Sequence, residues 1–462
     1  MLRHFRINDP YRLISLLVLL VLTSLPFLIN LPMITLQELK NMVIGEAMED
    51  KLMYVEIIDS TGPLMALMDR LLDFLFGRSL LVRHLLALII IFFQASYFGI
   101  LLINNKAYND INYLPSLIFG FLCFFSFDLL SITPELLASG LLLLALNNLF
   151  KEIEFRMDRD SFVLNLGVFL GLASLLVFSY TIFLFGSVLI LVFFARISLR
   201  KIFLVLFGYT LVHGILIIIY YCYERTDELW SNYYLSNLTA QDLNLINGRS
   251  IFVLGIVPIV YFVFSLFMLT REARFTRYQS QLFQVMFLWL GVAIVQVWLT
   301  PEFSPHSFIT FIPPLAYFIS HYLLLINRKW IAETMLWIFI LGLLMLNHLS
   351  GNGYLKNVDY ASLFPKPAPT TGIVNKRIMI LDDNPSLFQN NKLAGYFLDW
   401  KLSQKYFEEP DYFENLQKIN QSFLEDPPEV IIDPNNRMPR ILERIPALEK
   451  MYRKENGVYL KN

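Results

Sequence analysis

The chain has 462 residues, of which 56% belong to the apolar set of Ala, Val, Ile, Leu, Met, Phe, Trp, Tyr and Cys, and its mean hydropathy is +0.54. Only 16% of the residues are charged, against about 25% in a soluble globular protein, so the composition excludes a fully soluble chain. The formal net charge of −1 gives no indication of nucleic-acid binding.

The charged residues are concentrated towards the carboxyl end of the sequence. Between Gly351 and Asn462 there are 15 basic and 15 acidic residues, an ordinary soluble composition, whereas the preceding part is depleted of charge. We therefore predict a polytopic transmembrane domain over residues 1–350 and a soluble extracytoplasmic domain over residues 351–462. The predicted fold class is an all-α polytopic membrane protein with a small C-terminal α/β domain.

Eleven apolar segments are candidate transmembrane helices, since about 20 mostly apolar residues are needed to cross a bilayer. They are 13–33, 80–103, 113–127, 136–150, 162–179, 181–195, 202–221, 251–269, 282–299, 307–326 and 331–348. The runs at 113–127, 136–150 and 181–195 are short for a span. The first segment follows a basic start and has no small-residue cleavage site after it, which predicts a retained helix rather than a signal peptide.

The distribution of Lys and Arg among the connecting segments predicts the orientation. With the amino terminus in the cytoplasm, the inner segments hold fifteen Lys and Arg residues, and the longer outer segments hold six, with Arg83 where the second span begins. This asymmetry follows the positive-inside rule. Eleven crossings place the C-terminal domain on the extracytoplasmic side of the inner membrane. The outer segments at 34–79, 222–250 and 300–306 lie on the same side.

The first outer segment, residues 34–79, is acidic near its start. From Glu38 to Asp59 it carries six acidic groups in 22 residues. Gly62-Pro63 indicates a turn, and residues 64–76 have the 3.6-residue apolar spacing of a helix that lies along the membrane interface. On its composition alone, this segment is explained by a solvated loop with an interfacial helix, without any chemistry.

The order of residues in this loop carries a family resemblance. It contains an acidic residue after the first span, a Tyr-x4-Asp-x2-Gly-Pro-Leu stretch, a Phe-Gly-x-Ser stretch, and an Arg four residues after that Ser. These are Glu38, Tyr54, Asp59, Gly62, Pro63, Leu64, Phe76, Gly77, Ser79 and Arg83. The order resembles the first external loop of the GT-C glycosyltransferases, which include the protein O-mannosyltransferases and the lipid A aminoarabinose transferases. The segment from Pro305-His306 to Pro313-Pro314-Leu-Ala is similar to a late helix of that family.

The resemblance implies a GT-C-like fold and a membrane glycosyltransferase. Such an enzyme moves a sugar, hexose or pentose, from a polyprenyl-phosphate carrier to an acceptor on the outer face of the membrane. The acceptor, whether glycan, lipid or protein, is not identified by the sequence. Two positions depart from the family pattern: Glu38-Leu39 stands where the family has Asp, often Asp-Glu, and His306 stands where Arg-Tyr is usual.

Three carboxylates are candidates for the general base that takes the proton of the acceptor hydroxyl. Glu38 leads because of its position after the first span, and Asp59 and Glu46 are second choices in the same loop. A purely structural role is the alternative for each of them.

Three further residues are candidates for binding the lipid phosphate. Arg83 lies at the outer end of a span, where a charge is costly unless it is paired, and its alternative is contact with lipid headgroups. His306 in the short outer segment is the second, with helix capping as its alternative, and Tyr54 of the loop is the third. No motif requires a cofactor beyond the lipid-linked donor. A divalent metal ion is compatible with the chemistry, but no ligand spacing indicates a metal site.

The turn between the third and fourth predicted spans holds a further acidic pair, Asp128 and Glu135. Because Pro134 suits the first position of a helix, we interpret this turn as a helix cap without chemistry. In the C-terminal domain, Pro365 to Pro369 has the composition of a linker. Strands are predicted at 377–381 and 429–433, and helices at 387–407 and 411–424.

Two other classes of function compete with a transferase. A transporter or a component of an envelope assembly would also be polytopic, but transporters usually show internal repeats and polar residues at mid-membrane, and none is evident here. An inactive GT-C-like protein is the third alternative, because the usual Asp-Glu is missing. The expected partners are the lipid bilayer, a polyprenyl-phosphate sugar and an acceptor, and not nucleic acid.

Overall fold

The computed structural model describes residues 1–7, 9–155, 160–195, 197–239, 243–272, 275–367, 372–455 and 457–462. Four basic residues used to predict the orientation, Arg156, Arg159, Arg196 and Arg274, lie outside these described residues. Ala368 and Pro369 of the predicted linker also lie outside them.

The described chain is mainly helical, and we number its α-helices in chain order. They are α1 (Leu2–Phe5), α2 (Arg12–Ile29), α3 (Leu36–Ala47), α4 (Pro63–Phe76), α5 (Leu80–Asn104), α6 (Leu114–Leu122), α7 (Pro134–Phe155), α8 (Asp160–Leu176), α9 (Ile182–Ile190), α10 (Leu199–Cys222), α11 (Thr226–Leu229), α12 (Ser236–Thr239), α13 (Gly248–Leu254), α14 (Ile256–Glu272), α15 (Arg277–Trp298), α16 (Ile312–Leu325), α17 (Lys329–Gly351), α18 (Trp400–Glu408), α19 (Phe413–Glu425), α20 (Met438–Arg444) and α21 (Pro446–Glu449). Short 3₁₀ or π-helical segments lie at Cys123–Phe125, Phe127–Leu130, Phe178–Thr181, Leu191–Ala195, Trp230–Leu235, Pro305–Phe311, Ala361–Leu363 and Ser386–Gln389.

Eight helical segments among the described residues are long and apolar enough to cross a membrane. They are Arg12–Ile29, Leu80–Asn104, Pro134–Glu154, Phe178–Ala195, Leu199–Cys222, Arg277–Trp298, Pro305–Leu325 and Lys329–Gly351. Helices α13 and α14 make a further apolar segment that is bent by 63°, and Leu114–Phe125 and Asp160–Leu176 are shorter apolar helices. Each of the eleven predicted segments therefore corresponds to one apolar helical segment, and the predicted fold class is confirmed.

The apolar helices α8 and α10 approach each other at glycines. A Cβ atom added at Gly208 of α10 would lie 2.5 Å from the carbonyl oxygen of Leu164, and one added at Gly167 of α8 would lie 2.1 Å from that of Val205. On the same α10, a Cβ at Gly214 would meet nothing within 4 Å. Small residues allow membrane helices to pack backbone against backbone, so Gly167 and Gly208 belong to a tight helix contact.

Contacts divide the chain into two units. Unit 1 comprises Met1–Met33, Leu80–Gly214 and Asp242–Ser362, and it contains nearly all the apolar helices. Unit 2 comprises Ile34–Ser79, Ile215–Gln241 and Leu363–Asn462, so the acidic loop and the C-terminal region share one unit. The division of the chain at residue 350 into two domains stays a prediction.

A five-stranded sheet forms the centre of unit 2, in the order β4-β3-β5-β7-β6. Its strands are β3 (Arg377–Ile380), β4 (Lys392–Leu393), β5 (Val430–Ile432), β6 (Tyr452–Glu455) and β7 (Val458–Lys461), whereas β1 (Leu243–Asn244) and β2 (Glu302–Phe303) form a small parallel pair in unit 1. Strand β3 pairs in parallel with β4 and β5, and β7 is antiparallel to β5 and β6. The strands predicted at 377–381 and 429–433 correspond to β3 and β5. The β6–β7 hairpin was not predicted.

Segment 34–79 completes the core of unit 2. Leu39 and Val43 of α3 are buried against the side chains of β3 and β5, and Ile58 is buried on the other face of the sheet. The backbone N–H of Ile58 donates to the carbonyl of Tyr396 at 2.7 Å, and the N–H of Asp399 donates to the carbonyl of Ile58 at 3.1 Å. The loop is therefore a folded part of unit 2 rather than a solvated connection.

The helix predicted over 387–407 is wrong in its first half. That stretch contains the short turn Ser386–Gln389 and strand β4, and only α18, from Trp400, is helical. Gly395 has φ of +70°, outside the helical region, and its N–H donates to Asp426 at 2.9 Å. Asp399 then caps α18 by accepting the N–H of Leu402, so the helix begins after the residues that pair with the sheet.

Candidate functional site

A buried cluster of ionisable side chains lies in unit 1 at the turn before α7. His306 donates from Nδ1 to Oδ2 of Asp128 at 2.6 Å, and its Nε2 lies 2.7 Å from the hydroxyl of Ser304. The same Nε2 lies 3.6 Å from Oε1 of Glu135. The three ionisable side chains expose at most 8% of their surface, so each depends on the others for compensation of its polarity.

Contacts with neighbouring helices and strands hold the residues of this cluster in position. Gln94 of α5 donates to the carbonyl of Leu136 at 2.6 Å and accepts from Ser139 at 2.9 Å, which fixes the first turn of α7 against α5. On the other side, the parallel pairing of β1 with β2 holds the segment that leads to Ser304 and His306. The sequence places Asp128 and His306 178 positions apart, and these tertiary contacts bring them together.

The cluster keeps one buried carboxylate oxygen without a hydrogen bond. This atom is Oε2 of Glu135, which has no hydrogen-bond partner among the residues that the structure describes. A histidine held between two carboxylates and a serine can retain or pass a proton without moving. The arrangement is therefore suited to proton transfer or to binding a polar group through Glu135.

The interpretation as cap residues was wrong for Asp128, which pairs with His306, whereas Glu135 does lie in the first turn of α7. The hydroxyl of Thr133 accepts the N–H of Leu136 at 3.2 Å, so Thr133 supplies the side-chain cap, while Pro134 begins α7 as expected. Both carboxylates also lie near His306. A charge at the membrane boundary is costly unless it has a partner. This rule, applied to the sequence, could have indicated that Asp128 and Glu135 have a partner in the folded chain.

Glu38, the leading base candidate, lies in the first turn of α3 in unit 2. Its Oε2 accepts the N–H of Thr35 at 2.9 Å and the hydroxyl of Thr35 at 3.1 Å, and its own N–H donates to that hydroxyl at 3.3 Å. This is a capping box, and it fixes the orientation of a carboxylate that is only 4% exposed.

The other two carboxylate candidates in unit 2 form ion pairs. Asp59 is fully buried, and its Oδ2 lies 2.9 Å from Nζ of Lys40. Glu46 lies 2.5 Å from Arg78 and 2.8 Å from Lys392, and the hydrogen bond with Glu46 raises the pKa of Lys392. These cations were not assigned a role from the sequence, since no local spacing relates them to their partners.

Tyr54 lies in a cluster of tyrosines in unit 2. Its ring centroid is 5.8 Å from that of Tyr220 and 5.5 Å from that of Tyr233, and its hydroxyl donates to the carbonyl of Thr61 at 2.7 Å. Burial raises the pKa of the Tyr54 phenol well above its ordinary value. Tyr54 also has a positive φ of 67°, an uncommon conformation for a residue other than glycine.

The six candidates from the sequence are divided between the two units. Glu38, Glu46, Tyr54 and Asp59 belong to unit 2, where Glu46 and Asp59 occupy separate ion pairs. Arg83 and His306 belong to unit 1. Arg83 is 2% exposed in the first turn of α5, next to the equally buried His84. In the described residues, no group of three or more His, Cys, Asp and Glu side chains could hold a metal ion.

Comparison with known proteins relates this architecture to one solved structure in particular. No family model and no curated protein matches the chain. The crystal structure of ArnT from Cupriavidus metallidurans bound to undecaprenyl phosphate matches with a TM-score of 0.53 and 10% sequence identity, over 94% of this chain and 88% of ArnT. The chain has a GT-C fold. The GT-C-like fold implied by the sequence resemblance is thereby confirmed.

Two crystal structures of the Archaeoglobus fulgidus oligosaccharyltransferase also match. The apo form gives a TM-score of 0.45 at 9% identity, over 92% of this chain and 69% of that one. The form tethered through a disulfide bond to an acceptor peptide with the NVT sequon gives 0.46 at 11% identity, over 98% and 74%.

Proposed function

We propose that the protein is an integral membrane glycosyltransferase that moves a sugar from a polyprenyl-phosphate carrier to an acceptor on the outer face of the membrane. The observation that carries this proposal is the GT-C fold shared with ArnT, whose structure holds undecaprenyl phosphate. Buried carboxylates in both units supply candidates for the proton transfer that the reaction needs. The acceptor class is left open between glycan, lipid and protein.

Glu38 is the proposed general base. A polyprenyl phosphate leaves as a stable anion, so the main demand on the protein is removal of the acceptor proton. A place shortly after the first span favours Glu38 over Asp59 and Glu46, which lie further along the same loop. In the capping box, Thr35 donates two hydrogen bonds to Oε2 of Glu38 and fixes the orientation of this carboxylate in the first turn of α3.

Arg83 is the proposed ligand of the lipid phosphate, because a guanidinium can bind phosphate through two N–H groups. The polar side-chain atoms of His306 and Tyr54, which could contact a substrate, already form hydrogen bonds within the protein. A contact from either side chain to the donor would need one of those hydrogen bonds to be exchanged.

The proposed orientation follows the Lys and Arg distribution. The amino terminus is cytoplasmic, the chain crosses the inner membrane eleven times, and the C-terminal region lies outside. Cysteine-accessibility labelling of the full chain tests this directly. In a Cys222→Ser background, which removes an exposed native thiol, labelling of a cysteine introduced at exposed Tyr412 by a membrane-impermeant reagent added outside is expected. Labelling only after permeabilisation would contradict the orientation.

The activity is tested with purified full-length protein and polyprenyl-phosphate sugars, measuring the release of polyprenyl phosphate. Glu38→Gln is expected to lower turnover by about 100-fold or more, the usual contribution of a positioned base. Glu49→Gln, an exposed carboxylate of the same loop, is the matched control and should keep full turnover. Full activity in Glu38→Gln would exclude Glu38 as the base, and no turnover by the unmodified protein with any carrier would exclude the function.

A further inference from the structure

A cavity of about 910 Å³ lies in unit 1 where α5 and α7 end and α15 begins. Its polar lining includes Lys106, Asn109, Glu154, Arg277, Tyr278 and Gln279. Leu102, Ile103, Ile111 and Ile153 supply an apolar wall. The volume is in the range of small-molecule sites rather than of a packing defect.

This cavity is separate from the Asp128–His306 cluster. Glu135, in that cluster, lies in the first turn of α7, and Glu154 lies at the other end of the same helix. Nineteen residues at 1.5 Å each separate them by about 28 Å, close to the thickness of the hydrocarbon core. If α7 crosses the bilayer as proposed, this distance would put the cavity at the headgroup level of the membrane face opposite to the cluster.

Hydrogen bonds fix the walls of the cavity. Gln279 donates from its amide to Oδ1 of Asn109 at 3.0 Å and accepts the N–H of Thr276 at 3.1 Å in the capping box of α15. Tyr108 donates to the carbonyl of Tyr317 at 3.1 Å. The loop between α5 and α6 is thus bound to α15 and α16, so the cavity is preformed.

The lining holds two basic residues, Lys106 and Arg277, and two acidic residues, Asp110 and Glu154, and these differ in depth. Lys106 is 78% exposed and lies 3.8 Å from Oε1 of Glu154, whose side chain is only 12% exposed. Arg277 is exposed at the opening. Among the described residues, Oε2 of Glu154 and the hydroxyl of Tyr278 are buried without a hydrogen-bond partner. A buried carboxylate oxygen without a donor is costly, and it therefore indicates a missing cationic or N–H donor.

We propose that this cavity binds a zwitterionic phosphate ester that carries a primary ammonium group. The ammonium would donate to Oε2 of Glu154 and to the hydroxyl of Tyr278, and the phosphate would lie between Lys106 and Arg277. A ligand without an N–H donor would leave Oε2 of Glu154 unsatisfied, and a ligand without a phosphate would make no use of the two lining cations, Lys106 and Arg277. The apolar wall suits the glycerol and first acyl carbons of a lipid.

Two sources carry this chemistry, phosphatidylethanolamine in the bilayer and soluble phosphoethanolamine. The proposal does not depend on glycosyl transfer, since the cavity lies at the far end of α7 from the Asp128–His306 cluster and includes none of the residues proposed for catalysis. Its test is a binding measurement, and its failure would leave the proposed function untouched.

The test is native mass spectrometry of the full-length protein with added phosphatidylethanolamine, phosphatidylcholine or phosphatidylglycerol. Phosphatidylcholine has no N–H donor and phosphatidylglycerol has no cation, so each should bind about tenfold more weakly than phosphatidylethanolamine, the usual effect of one charge-assisted hydrogen bond. Glu154→Gln and Tyr278→Phe should remove this preference, and Arg277→Gln should weaken binding of all three lipids. Arg271→Gln, at the same membrane face over the ring of Phe267, is the matched control and should change nothing.

A competition arm with soluble phosphoethanolamine separates the two sources. Displacement of phosphatidylethanolamine by millimolar phosphoethanolamine assigns the site to a soluble ligand, and an intact lipid preference assigns it to the bilayer lipid. Equal binding of the three lipids together with no binding of phosphoethanolamine would overturn the proposal. If Glu154→Gln does not fold, an unchanged lipid preference in Tyr278→Phe together with unchanged lipid binding in Arg277→Gln would overturn the proposal as well.

Discussion

Removal of the imidazole of His306 tests whether the Asp128–His306 contact stabilises unit 1. His306→Phe keeps a ring of similar size but removes the donor to Asp128 at 2.6 Å and the contact with Ser304 at 2.7 Å. Asp128 is 4% exposed, so water cannot replace the lost donor. Breaking one partner of a buried charged pair typically costs about 3–5 kcal/mol, and we expect a loss of that size in the free energy of unfolding.

A double-mutant cycle makes this prediction specific. Asp128→Asn removes the charge that His306→Phe leaves without a partner, so the double variant should lose less than the sum of the single variants. We expect a coupling of about 1–3 kcal/mol, within the range of contacting residues. The measurement is unfolding of the purified full chain by sodium dodecyl sulfate in mixed micelles.

His321→Phe is the matched control for the loss of a buried imidazole. His321 packs against Tyr108 at 4.3 Å and Tyr317 at 4.6 Å between ring centroids, and its Nε2 has no hydrogen-bond partner among the described residues. Its replacement should therefore cost much less than that of His306. Additive losses in the cycle, or equal losses for His306→Phe and His321→Phe, would refute the reasoning.

Two further predictions concern packing and pH. Gly208→Ala places a Cβ against the backbone of α8 and should destabilise the protein by about 1–3 kcal/mol in the same unfolding assay. Gly214→Ala, on the open side of α10, is the control and should be neutral or slightly stabilising. Equal effects of the two substitutions would contradict the tight contact between α8 and α10. In unit 2, the hydroxyl of Tyr396 donates to Glu425 and lowers the pKa of that carboxyl group. The hydrogen bond therefore stabilises the folded state fully above the ordinary Glu pKa of about 4.3, and this stabilisation is lost as the pH falls through the lowered pKa. Tyr396→Phe should make hydrogen exchange of the β3 amides less dependent on pH below about 4.3, and an unchanged pH dependence would contradict it.

The membrane helices could be predicted from the sequence almost completely. A backbone in lipid must satisfy its own hydrogen bonds, so an apolar run long enough to span can only be a helix, whatever its neighbours are. The predicted segments 136–150 and 181–195, which were short for a span, lengthen to Pro134–Glu154 and Phe178–Ala195. The ends of these two helices contain polar residues such as Glu135, which a prediction from hydropathy alone leaves out of the span. In the folded chain, partners such as His306 compensate for the polarity of these residues.

Elements of the C-terminal region were predicted less well, because their conformation depends on what they pack against. Strands β3 and β5 are continuous apolar runs and were recognised. The stretch before α18 has a helical pattern, but Gly395 and strand β4 pair with the sheet and with Asp426 instead. Contacts within unit 2 override the local preference of that stretch.

The sequence by itself determined the number and the place of the apolar helices and the general kind of fold, because these follow from composition and local periodicity. Only the tertiary structure decided the partners of the charged groups. Asp128 meets His306 across 178 positions, and Lys51 of the loop donates to the carbonyl of Gly395 across 344. Such pairs leave no local pattern, since a buried charge is stabilised by whichever partner the packing brings within hydrogen-bond distance.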